Sequence, residues 1–226
     1  MAGAFVQSDW ERHAEREEGR YADGLTRLPA DPDGRQKQLV RMAMAAGGVA
    51  LARLMQGRRA EAAGWFARSA ERYRESMDDA PPESWGRLIG AVKARVLAGD
   101  WEGAKIDARW SLALGPAESG SPIGRYAGVL AALVLEDGER ARTLAASLET
   151  EPEERFPRPV ADALAALAGG DAEAYAAAAA RVLESFEDRN AYLEDVPAAD
   201  TVIVLEALAS RRGIAAGLRS ELLPPP

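Results

Sequence analysis

The sequence has no cysteine and only one histidine in 226 residues. Without cysteine there is no disulfide, no thiolate metal ligand and no thiol nucleophile, and a reducing compartment is favoured. A single histidine, His13, excludes a two-histidine metal site, and no Gly-x-Ser-x-Gly turn is present to hold a serine nucleophile. We therefore predict a protein that is not an enzyme and holds no metal and no cofactor. We expect His13 to be an exposed residue on a helix surface.

Long hydrophobic runs and basic charge are also scarce. The longest apolar stretch, residues 39–55, contains two arginines and a glycine pair and is too polar to span a bilayer. The first nine residues have neither the basic region nor the apolar run of a secretory signal. The net charge is −8, an acidic balance that argues against nucleic-acid binding. We expect a cytoplasmic protein with no nucleic acid and no membrane among its partners.

The sequence does contain a repeated turn signal between amphipathic stretches. Gly99 can end one helix in the left-handed conformation, and Asp100 can cap the next helix. Similar turns are centred on Gly57, Gly138 and Gly170, so the four glycines lie 42, 39 and 32 residues apart. Apolar residues between the turns recur at helical steps, and the alternation typical of strands is absent. This pattern predicts an all-α fold of about ten helices in stacked antiparallel hairpins, a tetratricopeptide-like α-solenoid without that family's consensus.

The clearest loop in the middle of the chain covers residues 115–122, which are rich in glycine, serine and proline. Clusters of these residues favour turns over helices. Because the helical pattern resumes directly after the loop, we predict one all-helical domain over residues 1–226. Any division of this domain into two layers would fall near 115–122.

Carboxylates and aromatic rings are concentrated in the segment Glu184–Asp195, where the ninth helix is predicted to end. It holds five carboxylates in twelve residues. Acidic groups around aromatic anchors suit a basic protein partner, because charge speeds association and desolvated rings supply affinity. In the alternative interpretation the rings pack on the core and the acids face water. The predicted partner-binding residues are Glu184, Glu187, Asp188, Tyr192, Glu194 and Asp195. Trp110 is added as an outward-facing interface anchor, with packing in the core between helices as the alternative.

The end of the chain, Tyr192–Ile214 followed by Leu222–Pro224, resembles the close of the Imm49 family of immunity proteins. That family is mostly helical, and its members are encoded beside toxins of bacterial polymorphic toxin systems, often nucleases. Its pattern ends in a helix that contains aspartate and closes with Ala-x-x-Arg-Gly. The matching positions here are Asp200, Leu205, Ala209, Arg212 and Gly213. The resemblance implies that the protein neutralises a cognate toxin by binding it, without catalysis.

Two other functions are compatible with the residues. A general helical-repeat scaffold would hold a peptide or a helix in a concave groove. An enzyme with an unfamiliar site of aspartate, glutamate and arginine would need those side chains together in a closed pocket. The sequence leaves open which protein is the partner, which face binds it and whether the chain self-associates.

Overall fold

The protein is described by a computed structural model that covers residues 7–189, 191–192 and 196–226. These residues form ten α-helices and no strand, which confirms the predicted all-α array of helical hairpins. None of the helices in these ranges is long and apolar enough to cross a membrane. The helices are α1 (Gln7–Thr26), α2 (Pro32–Met55), α3 (Arg59–Glu75), α4 (Trp85–Leu97), α5 (Trp101–Ala113), α6 (Pro122–Val134), α7 (Gly138–Glu149), α8 (Arg158–Gly169), α9 (Ala172–Glu187) and α10 (Asp200–Arg211).

Residues in the left-handed conformation separate successive helices at the predicted turns. Gly99 has a φ of +71°, and the Asp100 carboxylate after it accepts a hydrogen bond from the Gly103 amide at 2.9 Å. The same order recurs at Gly170, with a φ of +74°, and Asp171, whose side chain caps α9. Glycine adopts this conformation at no steric cost, and aspartate satisfies an amide that the first helical turn leaves free.

The third turn differs from the prediction, because its left-handed residue is Glu136 and not Gly138. Glu136 has a φ of +60°, and Gly138 is the first residue of α7. The cap is retained, since the Asp137 carboxylate accepts a hydrogen bond from the Arg140 amide at 3.2 Å. A side chain in the left-handed region is strained by its Cβ, so this turn keeps the geometry of the other turns at an energetic cost.

Each helix packs against the next along the chain, as expected for stacked hairpins. In addition, α4 contacts α6, and α10 turns back onto α4, α8 and α9. The array is therefore closed on itself, since its last helix reaches its middle. One hydrophobic core cluster runs from Val92 in α4 to Ala209 in α10 and crosses the loop at 115–122 without a break.

Residues 213–226 form an irregular tail that specific hydrogen bonds hold against the helices. The Glu206 carboxylate in α10 accepts hydrogen bonds from two tail amides, at 3.0 and 2.8 Å. Further along, the Arg59 guanidinium at the start of α3 donates to the carbonyl oxygen of Pro225 at 2.7 Å. The tail thus connects the C-terminal helices to the N-terminal ones.

Candidate functional site

A groove of about 430 Å³ lies where the N-terminal and C-terminal parts of the array face each other. One wall comes from α2, α3 and α4, and the other comes from the end of α9 and residues 196–201. Most of the lining side chains are apolar, with a few polar and charged groups among them. Concave apolar surfaces of this size with a few polar groups are the usual form of ligand and partner sites.

The α4 wall is one helical face on which two glycines precede a lysine. Gly86, Gly90 and Lys93 are four and three residues apart, so they share a face and all line the groove. At Gly90 a Cβ would lie 2.5 Å from Cε2 of Tyr73, so the missing side chain lets that ring pack on the helix. At Gly86 a Cβ would meet nothing within 4 Å, which leaves open space at this end of the groove.

Lys93 and Asp200 form an ion pair inside the groove. The Lys93 Nζ lies 2.6 Å from Oδ2 of Asp200, and the two side chains are 16% and 38% exposed. Burial raises the pKa of Asp200, but the charge and hydrogen bond of Lys93 lower it more, so the net pKa is below its ordinary value. Burial lowers the pKa of Lys93, but the Asp200 charge raises it more, and the net pKa is above its ordinary value. Both groups are therefore ionised near neutral pH.

These protonation states decide what chemistry the pair can offer. Lys93 carries a proton and has no free electron pair, so it is not a nucleophile near neutral pH. Tyr126 lies close enough to influence Lys93, and burial raises the pKa of its own hydroxyl, so it also stays protonated. The groove thus presents fixed charge, hydrogen-bond donors and apolar surface, which are the components of a binding site.

Aromatic residues and an arginine form the α9 wall. The Arg189 guanidinium lies 3.7 Å from the ring centroid of Phe186, a cation–π contact, and its Nε donates to the carbonyl oxygen of Ser185 at 3.3 Å. Phe186 is 6% exposed and belongs to the main core cluster. Tyr192 is half-buried, and its hydroxyl donates to the Phe186 carbonyl at 3.1 Å. The wall is thereby anchored to the core.

The predicted carboxylates of this segment do not line the groove. They lie at the end of α9, next in the chain to the groove residues Phe186 and Arg189, and we call them the acidic rim. Glu184, Glu187 and Asp188 are exposed at the end of α9, and Tyr192 lines the groove. Glu187 accepts a hydrogen bond from the Ser220 hydroxyl in the tail at 2.6 Å. Among the described residues, neither Glu184 nor Asp188 has an ion-pair partner. The predicted residues Glu194 and Asp195 lie outside the described residues.

Trp110 does not line the groove with the other predicted residues. It lies on α5, half-buried, with the Arg74 guanidinium 4.8 Å from its ring centroid. Its neighbours on the same helical face are Ile106 and Leu114, which are 57% and 43% exposed. The structure therefore separates the predicted residues into a groove with an acidic rim and an apolar face on α5.

Sequence reasoning missed Lys93 and Arg189 as groove residues. A signal for Lys93 was present, because the chain has only three lysines and this one shares a helical face with Gly86 and Gly90. Two small residues and a lone lysine on one face indicate a helix surface that something approaches closely. No comparable signal marked Arg189, which looks like any other charge at a helix end.

The prediction for His13 was wrong, because the side chain is 4% exposed. Its Nδ1 lies 2.9 Å from the Arg16 guanidinium, and its Nε2 would be 3.3 Å from a Cβ added at Gly48 of α2. The missing side chain at Gly48 thus lets α1 pack closely on α2.

No group of three or more histidine, aspartate and glutamate side chains in the described part of the chain is arranged to hold a metal ion.

Four of the five positions that carry the family resemblance have structural roles. Leu205 and Ala209 are fully buried in the core. Arg212 donates to the carbonyl oxygen of Leu133 at 2.9 Å, and Gly213 ends α10 with a φ of +72°. The fifth position, Asp200, is the one that lines the groove.

No protein-family model, no curated protein and no solved structure matches this chain.

Proposed function

We propose that the protein is a non-catalytic binding module that holds a partner protein at the groove, and that it acts as an immunity protein. One observation carries the proposal: the end of α9 contributes Phe186 and Arg189 to an apolar groove built from distant parts of the chain, and its exposed carboxylates Glu184 and Asp188 form no ion pair with another described residue. A pre-formed apolar cleft accepts an anchor side chain of a partner with little reorganisation. The ionised Lys93–Asp200 pair supports binding over catalysis.

The acidic rim favours a partner with a basic surface. Glu184, Glu187, Asp188 and Glu221 lie near one another at the end of α9 and in the tail, since Ser220 is bonded to Glu187. The cations nearest to them along the chain are Arg189 and Arg219, so the described part of this surface has an excess of negative charge. Such an excess attracts a basic protein from a distance and is weakened by salt.

A toxin that acts on nucleic acid has a basic surface, because it must approach phosphates. The resemblance of residues 192–214 to immunity proteins points to the same class of partner. We therefore propose a cognate toxin, such as a nuclease, as the partner, and the cytoplasm, which the cysteine-free sequence favours, as the place where the two meet. The bound immunity protein would cover the basic surface that the toxin needs.

The test is a co-expression experiment with the products of neighbouring genes. Each product is expressed alone and together with this protein, and growth is measured. We expect one product to arrest growth alone and growth to recover on co-expression. If no neighbouring product is toxic alone, or if toxicity persists with this protein present, the immunity function is wrong.

A charge-reversal variant tests whether the acidic rim is the contact surface. Glu184→Lys combined with Asp188→Lys should slow association with the rescued toxin by about tenfold or more at low salt. Glu15→Lys combined with Glu71→Lys, at exposed positions on α1 and α3, is the control with the same change of net charge and should slow association much less. Equal rates for both variants would place the contact surface elsewhere.

The groove itself also favours a second candidate, a general scaffold that binds peptides or helices. Its apolar lining with a few polar groups would serve several unrelated segments as well as one toxin. A panel of purified peptides separates the two candidates, because a scaffold would bind several unrelated sequences with similar affinity. An immunity protein would bind its toxin far more tightly than any of them.

A further inference from the structure

Helix α5 has an apolar face that the other described helices leave largely uncovered, with the Arg74 guanidinium of α3 lying over the Trp110 ring. Its opposite face is buried against α4 and α6 through Ala104, Asp107, Ala108 and Ser111. The uncovered face carries Ile106, Trp110 and Leu114 at steps of four residues, with Ile106 57% and Leu114 43% exposed. Large apolar side chains in one stripe are the pattern of a helix that packs on a partner.

Charged residues of opposite sign lie before and after Ile106 along the helix. Glu102, one turn before Ile106, is 84% exposed, and its one ion-pair partner among the described residues is Lys105 on its own helix. Arg109, in the turn after Ile106, is exposed and forms no ion pair with another described residue. Arg74 lies over the Trp110 ring, but its charge is paired with Asp107, so Arg109 is the positive charge on this side of Ile106. The face is therefore negative on one side of Ile106 and positive on the other.

We propose that this face binds the same face of a second copy of the chain, with the two α5 helices antiparallel and a two-fold axis near Ile106. An antiparallel arrangement reverses the order of residues, so Glu102 of each copy meets Arg109 and Trp110 of the other. A two-fold interface brings the same surface of each copy together, so the negative and positive charges of that surface must complement each other. The dimer goes beyond the proposed function, because the face is separate from the groove and leaves it free.

A single-cysteine variant tests the position of the axis. The chain has no cysteine, so Ile106→Cys would have only its own copy as a partner for a disulfide. Cysteines near a two-fold axis can reach the required separation of about 5.5–6 Å between Cα atoms. Mild oxidation should produce a covalent dimer of Ile106→Cys and none of Leu25→Cys, the control on α1 that is 50% exposed. Equal crosslinking of the two variants would overturn the proposed axis.

A charge exchange tests the pairing between copies, with sedimentation equilibrium as the readout. The unmodified protein should sediment with twice the mass of the 24.1 kDa chain. Glu102→Arg and Arg109→Glu should each weaken the dimer by about tenfold, and the double variant should restore most of the affinity. Each variant is first checked by circular dichroism for an unchanged helix content.

Three results would overturn the proposal. The first is that the protein is a monomer at every concentration, and the second is that Ile106→Glu leaves the dimer intact. The third is that the double charge variant dimerises with no higher affinity than the single variants. None of these results bears on toxin rescue, so the dimer and the proposed function can fail independently.

Discussion

Helices α1–α3 and helices α6–α9 bury different kinds of side chain. The first three helices bury charged and polar groups, namely His13, Glu17, Gln36, Arg53 and Ser69. Their apolar residues form small separate clusters. Helices α6–α9 instead contribute to one continuous cluster of alanine, valine and leucine. Buried polar and charged contacts therefore stabilise the N-terminal helices, whereas apolar packing stabilises α6–α9.

Arg53 of α2 is the clearest example of a buried charge in the N-terminal helices. Its side chain is 7% exposed, and its guanidinium donates to Glu11 at 2.7 Å and to Glu18 at 3.0 Å, both in α1. Such a cluster joins two helices through charge, and its strength depends on pH and salt. In α6–α9, alanines at the helix contacts let the backbones approach closely and leucines fill the remaining space, so stability there depends on volume.

The groove lies between these two regions. Its first wall comes from α2, α3 and α4, and its second wall comes from the end of α9 and residues 196–201. Apolar side chains from both regions thus surround the Lys93–Asp200 ion pair. The following variants test this division, in order of expected effect.

Leu164→Ala in α8 should cause the largest loss, because Leu164 is fully buried in the apolar layer. Removing three carbons there should lower the free energy of unfolding by about 2–5 kcal/mol. Urea denaturation measures the change. Leu25→Ala, at a side chain that is 50% exposed, should cost less than about 0.5 kcal/mol. Similar losses for the two variants would contradict the assignment of the core.

Arg53→Met should have a smaller effect, about 1–2 kcal/mol. The methionine keeps the apolar stem, and the carboxylates of Glu11 and Glu18 are 41% and 39% exposed, so water can solvate them once the guanidinium is gone. Urea denaturation at low and high salt should show the loss shrinking as salt increases. A loss that is the same at both salt concentrations would mean that packing, not charge, joins α1 and α2.

The same variant should change the pH dependence of unfolding. The Arg53 hydrogen bond, followed by that of Gln56, holds the pKa of Glu11 below its ordinary value of 4.5. A carboxyl with a lowered pKa in the folded state stabilises the protein above its unfolded pKa, and this stability is lost as the pH falls through the folded pKa. Between neutral pH and the acid range, Arg53→Met should therefore lose less stability than the unmodified protein. Parallel curves for the two proteins would contradict this cause.

Gly86→Leu should fill the groove without harming the fold, because a Cβ at Gly86 meets no atom within 4 Å. Leucine has the higher helix propensity, so stability should rise by roughly 0.5 kcal/mol. Gly64→Leu in α3, which also has open space and lies outside the groove, is the matched control. Fluorescence of anilinonaphthalene sulfonate should show weaker dye binding for Gly86→Leu only. Unchanged binding would mean that the dye does not occupy the groove.

Glu136→Gly should have the smallest net effect, a gain below about 0.5 kcal/mol. The change relieves the strain of a φ of +60°, but it loses the contact of Glu136 with Arg211 at 3.4 Å and some chain entropy. Thermal unfolding measures the gain. Glu139→Gly, in the first turn of α7, should instead lower stability, because glycine is a poor helix former and the acidic side chain at the helix N-terminus is lost.

Much of the fold was predictable, because its signals are local. A glycine followed by aspartate marks the turns at Gly99 and Gly170 whatever surrounds them. The start of α2 is also marked locally, since Pro32 fits the first turn of a helix and Asp31 caps it through the Gly34 amide at 2.7 Å. The groove could not be predicted, because Lys93 and Asp200 are 107 residues apart and only the return of α10 onto α4 brings them together.

The burial of His13 also depends on distant residues. A histidine on a mostly polar helix favours an exposed position, and only the glycine at position 48 in α2 leaves room beside it. The acidic segment at the end of α9 was predictable only in part. The exposure of Glu184 and Asp188 follows from their charge, whereas the position of Tyr192 on the groove wall depends on the core beneath it.

The return of α10 to α4 has a consequence for protein synthesis. Helices α1–α4 leave the ribosome first, and they already carry one wall of the groove with Lys93 unpaired. The opposite wall and Asp200 emerge about a hundred residues later, which corresponds to roughly 5–20 seconds of translation. The nascent chain therefore has no complete groove during that interval, and both walls are in place only when the C-terminal helix has folded back.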